Sequence, residues 1–100
     1  MPAYMIATRT GTVRDAAALA EYSRLNRENA GEFRARYNVT PLVVYGALEA
    51  VEGPAPDGII ILQFPSMEDA KGWYNSPGYQ EALPYRLKAA DYNVVFVEGL

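Results

Sequence analysis

The chain has 100 residues, which is long enough for one domain with a single hydrophobic core and too short for two. It contains no cysteine and no histidine, which excludes disulfides, thiolate nucleophiles, imidazole bases and nearly every zinc, copper or haem site. Its formal charge is -3, and basic residues alternate with acidic ones, so no basic stripe is available to follow a nucleic acid backbone.

Neither a signal peptide nor a membrane span is indicated by the hydropathy of the chain. The opening segment 1–4 has no charged region followed by an apolar stretch. The longest apolar runs, such as Ile59 to Leu62, fall far short of the ~20 residues that a membrane helix needs. We therefore expect one cytoplasmic domain over residues 1–100, with no cofactor, no metal, and neither nucleic acid nor membrane as a partner.

The first part of the chain predicts a strand followed by a long helix. Ala3–Thr10 alternates weakly between its two sides, as a half-buried strand does. Thr12, with Asp15 three residues later, resembles a capping box. From residue 13 to 37, apolar and aromatic residues recur on one side at helical spacing, which predicts an amphipathic helix.

Two further strands are predicted on either side of a turn. The valine-rich segment Leu42–Val51 predicts a strand, and Gly46 within it indicates a bulge or bend. The glycine- and proline-rich stretch 53–58 is typical of a hairpin connection. Ile59–Phe64 is a nearly continuous apolar run, as in a strand that is covered on both faces.

The last third of the chain predicts two helical segments and a closing strand. Ser66 resembles an N-cap for a short helix. Ser76, which precedes a proline, resembles a second N-cap, for a helix that runs to about Ala90 and that Pro84 bends or splits. The apolar segment Tyr92–Glu98 predicts the final strand.

The resulting order βαββαβ predicts an α+β, ferredoxin-like domain, in which a four-stranded antiparallel sheet carries its helices on one face. The other face of such a sheet has no helix on it, yet Ile59–Leu62 and Val94–Val97 are apolar at every position. A second copy of the chain is the simplest cover for that face, so we expect a homodimer.

Two amides stand at positions where apolar residues are expected. Asn26 falls in the apolar stripe of the first helix, and Gln63 lies within the apolar third strand, on the same strand face as Ile59 and Ile61. A buried amide needs hydrogen-bond partners. Each is therefore either satisfied within the core or directed into a polar pocket.

The second helical region offers further candidates. Trp73 and Tyr74 are either core residues or a stacking wall for a planar ligand. Arg86 is the only arginine beyond position 36, and its guanidinium suits a bidentate contact with a carboxylate. That carboxylate belongs either to a ligand or to the protein, where Asp91 and Glu81 are the neighbouring acids.

A set of short motifs spans the second half of the chain. They are Phe64-Pro65-Ser66, Ala70, Trp73-Tyr74, Ser76-Pro77, Tyr79-Gln80, Arg86 and Val97-Glu98-Gly99. Together with Met1–Tyr4 and Gly46, they resemble the family known as domain of unknown function 1330. The resemblance implies a ferredoxin-like protomer that pairs into a dimeric α/β-barrel, related in shape to antibiotic-biosynthesis monooxygenases, and it implies no particular reaction.

Three positions depart from the pattern of that family. An arginine or lysine that often opens the third strand is replaced around Asp57-Gly58. The arginine of an Arg-Gly-Gly run in the second strand is missing, since the chain reads Val44-Tyr45-Gly46-Ala47 there. A glutamate before the Phe-Pro pair is replaced by Gln63, which cannot ionise or act as a general base.

Two functions remain open on these residues. The first is a small homodimeric enzyme, oxygenase- or isomerase-like and free of cofactors, that binds a small aromatic or acidic molecule between its helices and sheet. The second is a non-catalytic ligand-binding or structural dimer, whose polar core residues are satisfied internally. The residues expected to contact a ligand are Asn26, Tyr45, Gln63, Trp73, Tyr74 and Arg86.

Overall fold

Seven elements follow one another in the computed structural model, which describes residues 1–100. They are β1 (Ala3–Thr10), α1 (Ala16–Tyr37), β2 (Thr40–Val44), β3 (Gly58–Phe64), α2 (Met67–Tyr74), α3 (Pro77–Ala89) and β4 (Asp91–Glu98). The strands form one antiparallel sheet in the order β2-β3-β1-β4. The predicted ferredoxin-like α+β fold is thereby confirmed. None of the helices combines the length and the apolar character needed to cross a membrane.

The helix α1 begins later than the sequence predicts. Its N-cap is Asp15, whose carboxylate accepts a hydrogen bond from the backbone N–H of Ala18 at 2.9 Å. This bond lowers the pKa of the Asp15 carboxyl, because it stabilises the charged form. The prediction of a capping box that starts at Thr12 is therefore wrong. At the other end, Asn38 closes the helix in a left-handed conformation with φ of 52°.

The strand β2 is shorter than the predicted segment 42–51, and its irregularity is not at Gly46. Pairing with β3 ends at Val44, and the register shifts between Pro41 and Val43. Tyr45 then takes a left-handed backbone conformation with φ of 54°, which turns the chain out of the sheet. A long irregular loop therefore connects β2 to β3.

A serine caps the start of α2 and another caps the start of α3, as predicted. Ser66 accepts a hydrogen bond from the N–H of Asp69 at 3.1 Å and caps α2. Ser76 caps α3, where it accepts from the N–H of Tyr79 at 3.3 Å and donates to the carbonyl of Trp73 at 2.7 Å. Pro84 lies inside α3 and does not split the helix.

The core lies between the helices and one face of the sheet. On β1, the buried residues Ala3, Met5 and Ala7 alternate with half-buried ones, so every second side chain faces the helices. Phe64 on β3 and Trp73 on α2 complete the centre of this core. The helices therefore cover the face to which Met5 belongs.

The opposite face of the sheet is apolar and carries no helix. It includes Ile6 and its cross-strand neighbours Ile61 and Val95, one from each adjacent strand. Val95 and Val97 are 55% and 45% exposed. Both faces of the central strands are thus apolar, and only one is covered within this chain.

Replacing the buried cap Ser76→Ala is expected to lower the free energy of unfolding by about 1–2 kcal/mol, because it removes both hydrogen bonds of the hydroxyl at the start of α3. Urea denaturation followed by circular dichroism measures the change. The matched control is Thr12→Ala, which removes no cap and should stay within about 0.5 kcal/mol of the parent. Equal losses in both variants would contradict the assigned caps.

Candidate functional site

An open cavity of about 490 Å³ lies between α1 and the side of the sheet formed by β2 and β3. Its apolar lining comes from both the helices and the sheet: Met5, Leu19, Ala30, Phe33, Val39, Pro41, Val44, Ile60, Leu62 and Trp73. The polar side chains of the lining are Tyr22, Ser23, Asn26, Arg27, Arg34 and Tyr45. The volume falls in the range of pockets that enclose small organic molecules.

The contribution of α1 to this wall follows from its helical spacing. The lining positions 19, 22, 23, 26, 27, 30, 33 and 34 recur once per helical turn, singly or as adjacent pairs, and therefore share one side of the helix. This is the stripe in which Asn26 interrupts an otherwise apolar pattern.

Asn26 presents an unused acceptor at the cavity wall. Its side-chain oxygen Oδ1 is buried and accepts no hydrogen bond from the chain. An unsatisfied buried carbonyl costs about 1–3 kcal/mol. A ligand that carries an N–H or O–H donor would remove this cost.

Two tyrosines of the wall hold their protons strongly. Burial raises the pKa of Tyr22, and the neighbouring Tyr79, whose hydroxyl lies 2.9 Å from that of Tyr22, raises it further. Burial also raises the pKa of Tyr45, and its 2.6 Å hydroxyl contact with Tyr92 adds to the effect. Both phenols therefore stay neutral at physiological pH and offer hydrogen bonds rather than a base.

The α1 side of the cavity carries unpaired positive charge. Arg27 and Arg34 line the cavity, are exposed, and take part in none of the ion pairs of the chain. Arg24 and Arg36, on the same helix but outside the lining, are instead bound to glutamates at 2.6 and 3.3 Å. The lining contains no carboxylate. The electrostatics of the cavity consequently favour a neutral or anionic ligand.

Of the six residues expected to contact a ligand, three meet at the cavity. Asn26, Tyr45 and Trp73 line it together. Gln63 does not, because it pairs with Tyr4 on the sheet face that has no helices. Contrary to the expectation, the structure does not bring Gln63 together with Asn26, Tyr45 and Trp73.

Tyr74 and Arg86 also lie outside the lining. The ring of Tyr74 packs against Phe96 and Tyr79, with centroids 5.8 and 5.3 Å apart, so it belongs to the core. Arg86 is only 5% exposed and forms no ion pair with Asp91, which binds Arg14 at 2.8 Å instead.

Sequence reasoning did not single out Tyr22, Arg27 and Arg34 as site residues. Their spacing is the one feature of the sequence that could have indicated them, because each lies within eight residues of Asn26 on the same side of the helix. Exposed arginines on an amphipathic helix are ordinarily part of its solvated face. Only the position of the sheet beneath α1 distinguishes these two from Arg24 and Arg36.

The sequence profile described as "Domain of unknown function (DUF1330)" matches residues 2–100. Among solved structures, a protein of unknown function from Rhodopseudomonas palustris is 22% identical, with a TM-score of 0.69 over 99% of this chain and 82% of that one. A dimeric ferredoxin-like protein of unknown function from Jannaschia sp. is 11% identical, with a TM-score of 0.72 over 99% of this chain and all (100%) of that one.

A candidate antibiotic biosynthesis monooxygenase from Nitrosomonas europaea is 12% identical, with a TM-score of 0.57 over 99% of this chain and 89% of that one. No curated protein is significantly similar to the chain. At these identities the solved structures establish the shared fold, including the expected relation in shape to monooxygenases of antibiotic biosynthesis.

The raised tyrosine pKa values predict a loss of stability in alkali. Above the ordinary pKa of about 10, the unfolded chain releases phenol protons that the folded chain retains, so the stability present below that pH declines as the pH rises. The partly buried Tyr22 contributes at most about 1.4 kcal/mol per pH unit, and only above that ordinary pKa, while the more exposed Tyr45 contributes less.

Urea midpoints measured between pH 8 and 11 test this expectation. The double variant Tyr22→Phe/Tyr45→Phe should show a shallower decline than the parent, whatever its stability at pH 8. Tyr85→Phe, which replaces an exposed tyrosine of α3, is the control and should keep the parental slope. An unchanged slope in the double variant would refute the assignment.

Proposed function

This chain belongs to the DUF1330 family, and from that premise we propose that it is a homodimeric protein that binds a small aromatic molecule between α1 and the sheet. The observation that carries the proposal is the cavity of about 490 Å³, whose lining is mostly apolar and includes the unused acceptor of Asn26. Apolar walls with a few convergent polar groups are the usual form of a small-molecule site.

The aromatic character of the ligand is supported by the walls. Phe33 and Trp73 stand edge to face, with ring centroids 6.2 Å apart, and both line the cavity. A planar ring placed against them gains contact area and a favourable aromatic geometry. A hydroxyl on that ring could donate a hydrogen bond to the Oδ1 of Asn26, which has no donor in the chain.

Binding is favoured over turnover by the chemistry of the lining. Oxygen addition to a phenol or isomerisation begins with removal of a proton from the substrate. The lining has no carboxylate, and Tyr22 and Tyr45 hold their own protons. The side chains of this cavity therefore suit orientation of a ligand better than abstraction of its proton.

The homodimer is supported by the uncovered sheet face. The centre of that face, around Ile6, Ile61 and Val95, is apolar on three adjacent strands. Monomeric proteins rarely expose continuous apolar patches of this kind. A two-fold dimer that presses two such faces together covers both at once.

A charge in the centre of the sheet face should separate the dimer. Val95→Asp places a carboxylate where the two faces would meet, and burying it unpaired is unfavourable. Sedimentation velocity should then give a mass near that of one chain, 11.0 kDa, while the parent gives twice that mass. Leu87→Asp on the outer side of α3 is the control and should remain dimeric. A parent protein that sediments as one chain would refute the dimer.

Filling the cavity should abolish ligand binding. Ala30 lines the cavity, so Ala30→Trp places an indole in the volume that the ligand would occupy. With 2-naphthol as the probe, calorimetry should give a Kd at least tenfold weaker for Ala30→Trp than for the parent. Ala35→Trp adds the same ring on an exposed part of α1 outside the lining and should bind as the parent does. Equal affinities in the two variants, or no binding to the parent, would refute the proposed site.

A further inference from the structure

Arg86 carries a buried charge that nothing in the chain neutralises. The residue is 5% exposed, and its side chain forms neither a hydrogen bond nor an ion pair with another residue. Its Nε is enclosed without an acceptor. A buried guanidinium in this state is unfavourable unless an anion completes its surroundings.

Arg86 reaches the cavity wall through a pair of tyrosines. Its guanidinium carbon lies 5.1 Å from the centre of the Tyr92 ring. The hydroxyl of Tyr92 is 2.6 Å from that of Tyr45, and Tyr45 lines the cavity. The order from the cavity inward is therefore Tyr45, Tyr92 and Arg86.

A second arginine, Arg9, packs against the other tyrosine of this pair. The guanidinium carbon of Arg9 is 5.5 Å from the centre of the Tyr45 ring, and its Nε is also enclosed without an acceptor. One terminal nitrogen of Arg9 donates to the backbone carbonyl of Asp57 at 3.1 Å, which leaves its positive charge uncompensated. Two guanidinium groups thus flank one pair of phenol hydroxyls.

No carboxylate of the chain serves this cluster of Arg9, Tyr45, Arg86 and Tyr92. The nearest acid along the sheet edge, Asp57, accepts from the backbone N–H of Gly11 at 2.6 Å and forms no ion pair. The three enclosed polar side-chain atoms that lack partners are the Nε atoms of Arg9 and Arg86 and the Oδ1 of Asn26. Two of the three therefore belong to this cluster, and the third faces the cavity beside it.

We propose that this cluster binds a carboxylate, so that the ligand of the cavity is an aromatic carboxylic acid. The inference rests on the proposed function, since the aromatic part of the ligand occupies the cavity. The carboxylate takes the place of the Tyr45–Tyr92 contact, accepts a hydrogen bond from each hydroxyl, and neutralises Arg86 and Arg9. A planar carboxylate matches the forked donors of a guanidinium.

The buried Arg86, with the enclosed Nε of Arg9, suits this role better than the exposed Arg27 and Arg34. Water and salt screen an exposed charge, so a contact with it contributes little affinity. Within the cluster, Arg86 is only 5% exposed, and a charge contact at that depth is correspondingly stronger. Arg27 and Arg34 remain the competing location for the carboxylate, and the experiment separates the two.

The test compares two probes of the same shape, 2-naphthoate and its neutral amide 2-naphthamide, by calorimetry on the dimeric protein. The parent should bind the naphthoate at least tenfold more tightly. In Arg86→Met, this preference should disappear while the affinity for the amide stays the same. Arg9→Met should reduce the preference in the same way and supplies the answer if Arg86→Met fails to fold. The control is Arg14→Met, which removes an exposed arginine that is paired with Asp91 outside the cluster. It should retain the parental preference.

The outcomes distinguish this inference from the proposed function. If neither probe binds the parent, both are wrong. If the amide binds as tightly as the naphthoate, the cavity function stands and the carboxylate assignment is wrong. If the preference survives in Arg86→Met and is lost in Arg27→Ala/Arg34→Ala, the carboxylate lies on the exposed side of α1 and the assignment to the cluster is wrong.

Discussion

Trp73 packs against aromatic rings from three other elements and so joins the helices to the sheet. Its ring lies 6.2 Å from that of Phe33 on α1, 5.4 Å from that of Phe64 on β3 and 4.3 Å from that of Tyr79 on α3. One side chain from α2 therefore contacts α1, α3 and the sheet. Trp73 and Phe33 also line the cavity, so this contact forms part of its wall. The same residue serves the core and the site.

The enclosed polar atoms near the cavity lower the stability of the fold, because they lack hydrogen-bond partners. Three enclosed atoms have no hydrogen-bond partner, and two of them belong to positively charged side chains. Apolar residues in place of Asn26 and Arg86 would pack without these costs. Proteins carry such costs mainly at functional sites, where the missing partner arrives with a ligand. The proposed function therefore rests on the arrangement of these polar atoms more than on the shape of the fold.

Local sequence signals predicted most elements and failed where the fold depends on distant contacts. Ser66 and Ser76 were readable as caps because their hydrogen bonds are local. The end of β2 was not, because it depends on a left-handed Tyr45 whose ring packs over Gly58 in the next strand. Alternation correctly grouped Gln63 with Ile59 and Ile61, but it cannot tell which face the helices cover. Asn26, by contrast, was found because a polar residue in an apolar stripe is visible in the sequence itself.

The position of the Tyr45 ring depends on the absence of a side chain at Gly58. A Cβ at that position would lie 2.8 Å from a ring carbon of Tyr45, so the tyrosine can hold its place only while residue 58 has no side chain. Any substitution there would displace an aromatic side chain of the cavity wall that belongs to the loop after β2. The shape of the cavity thus depends on a glycine that is not itself part of the cavity lining.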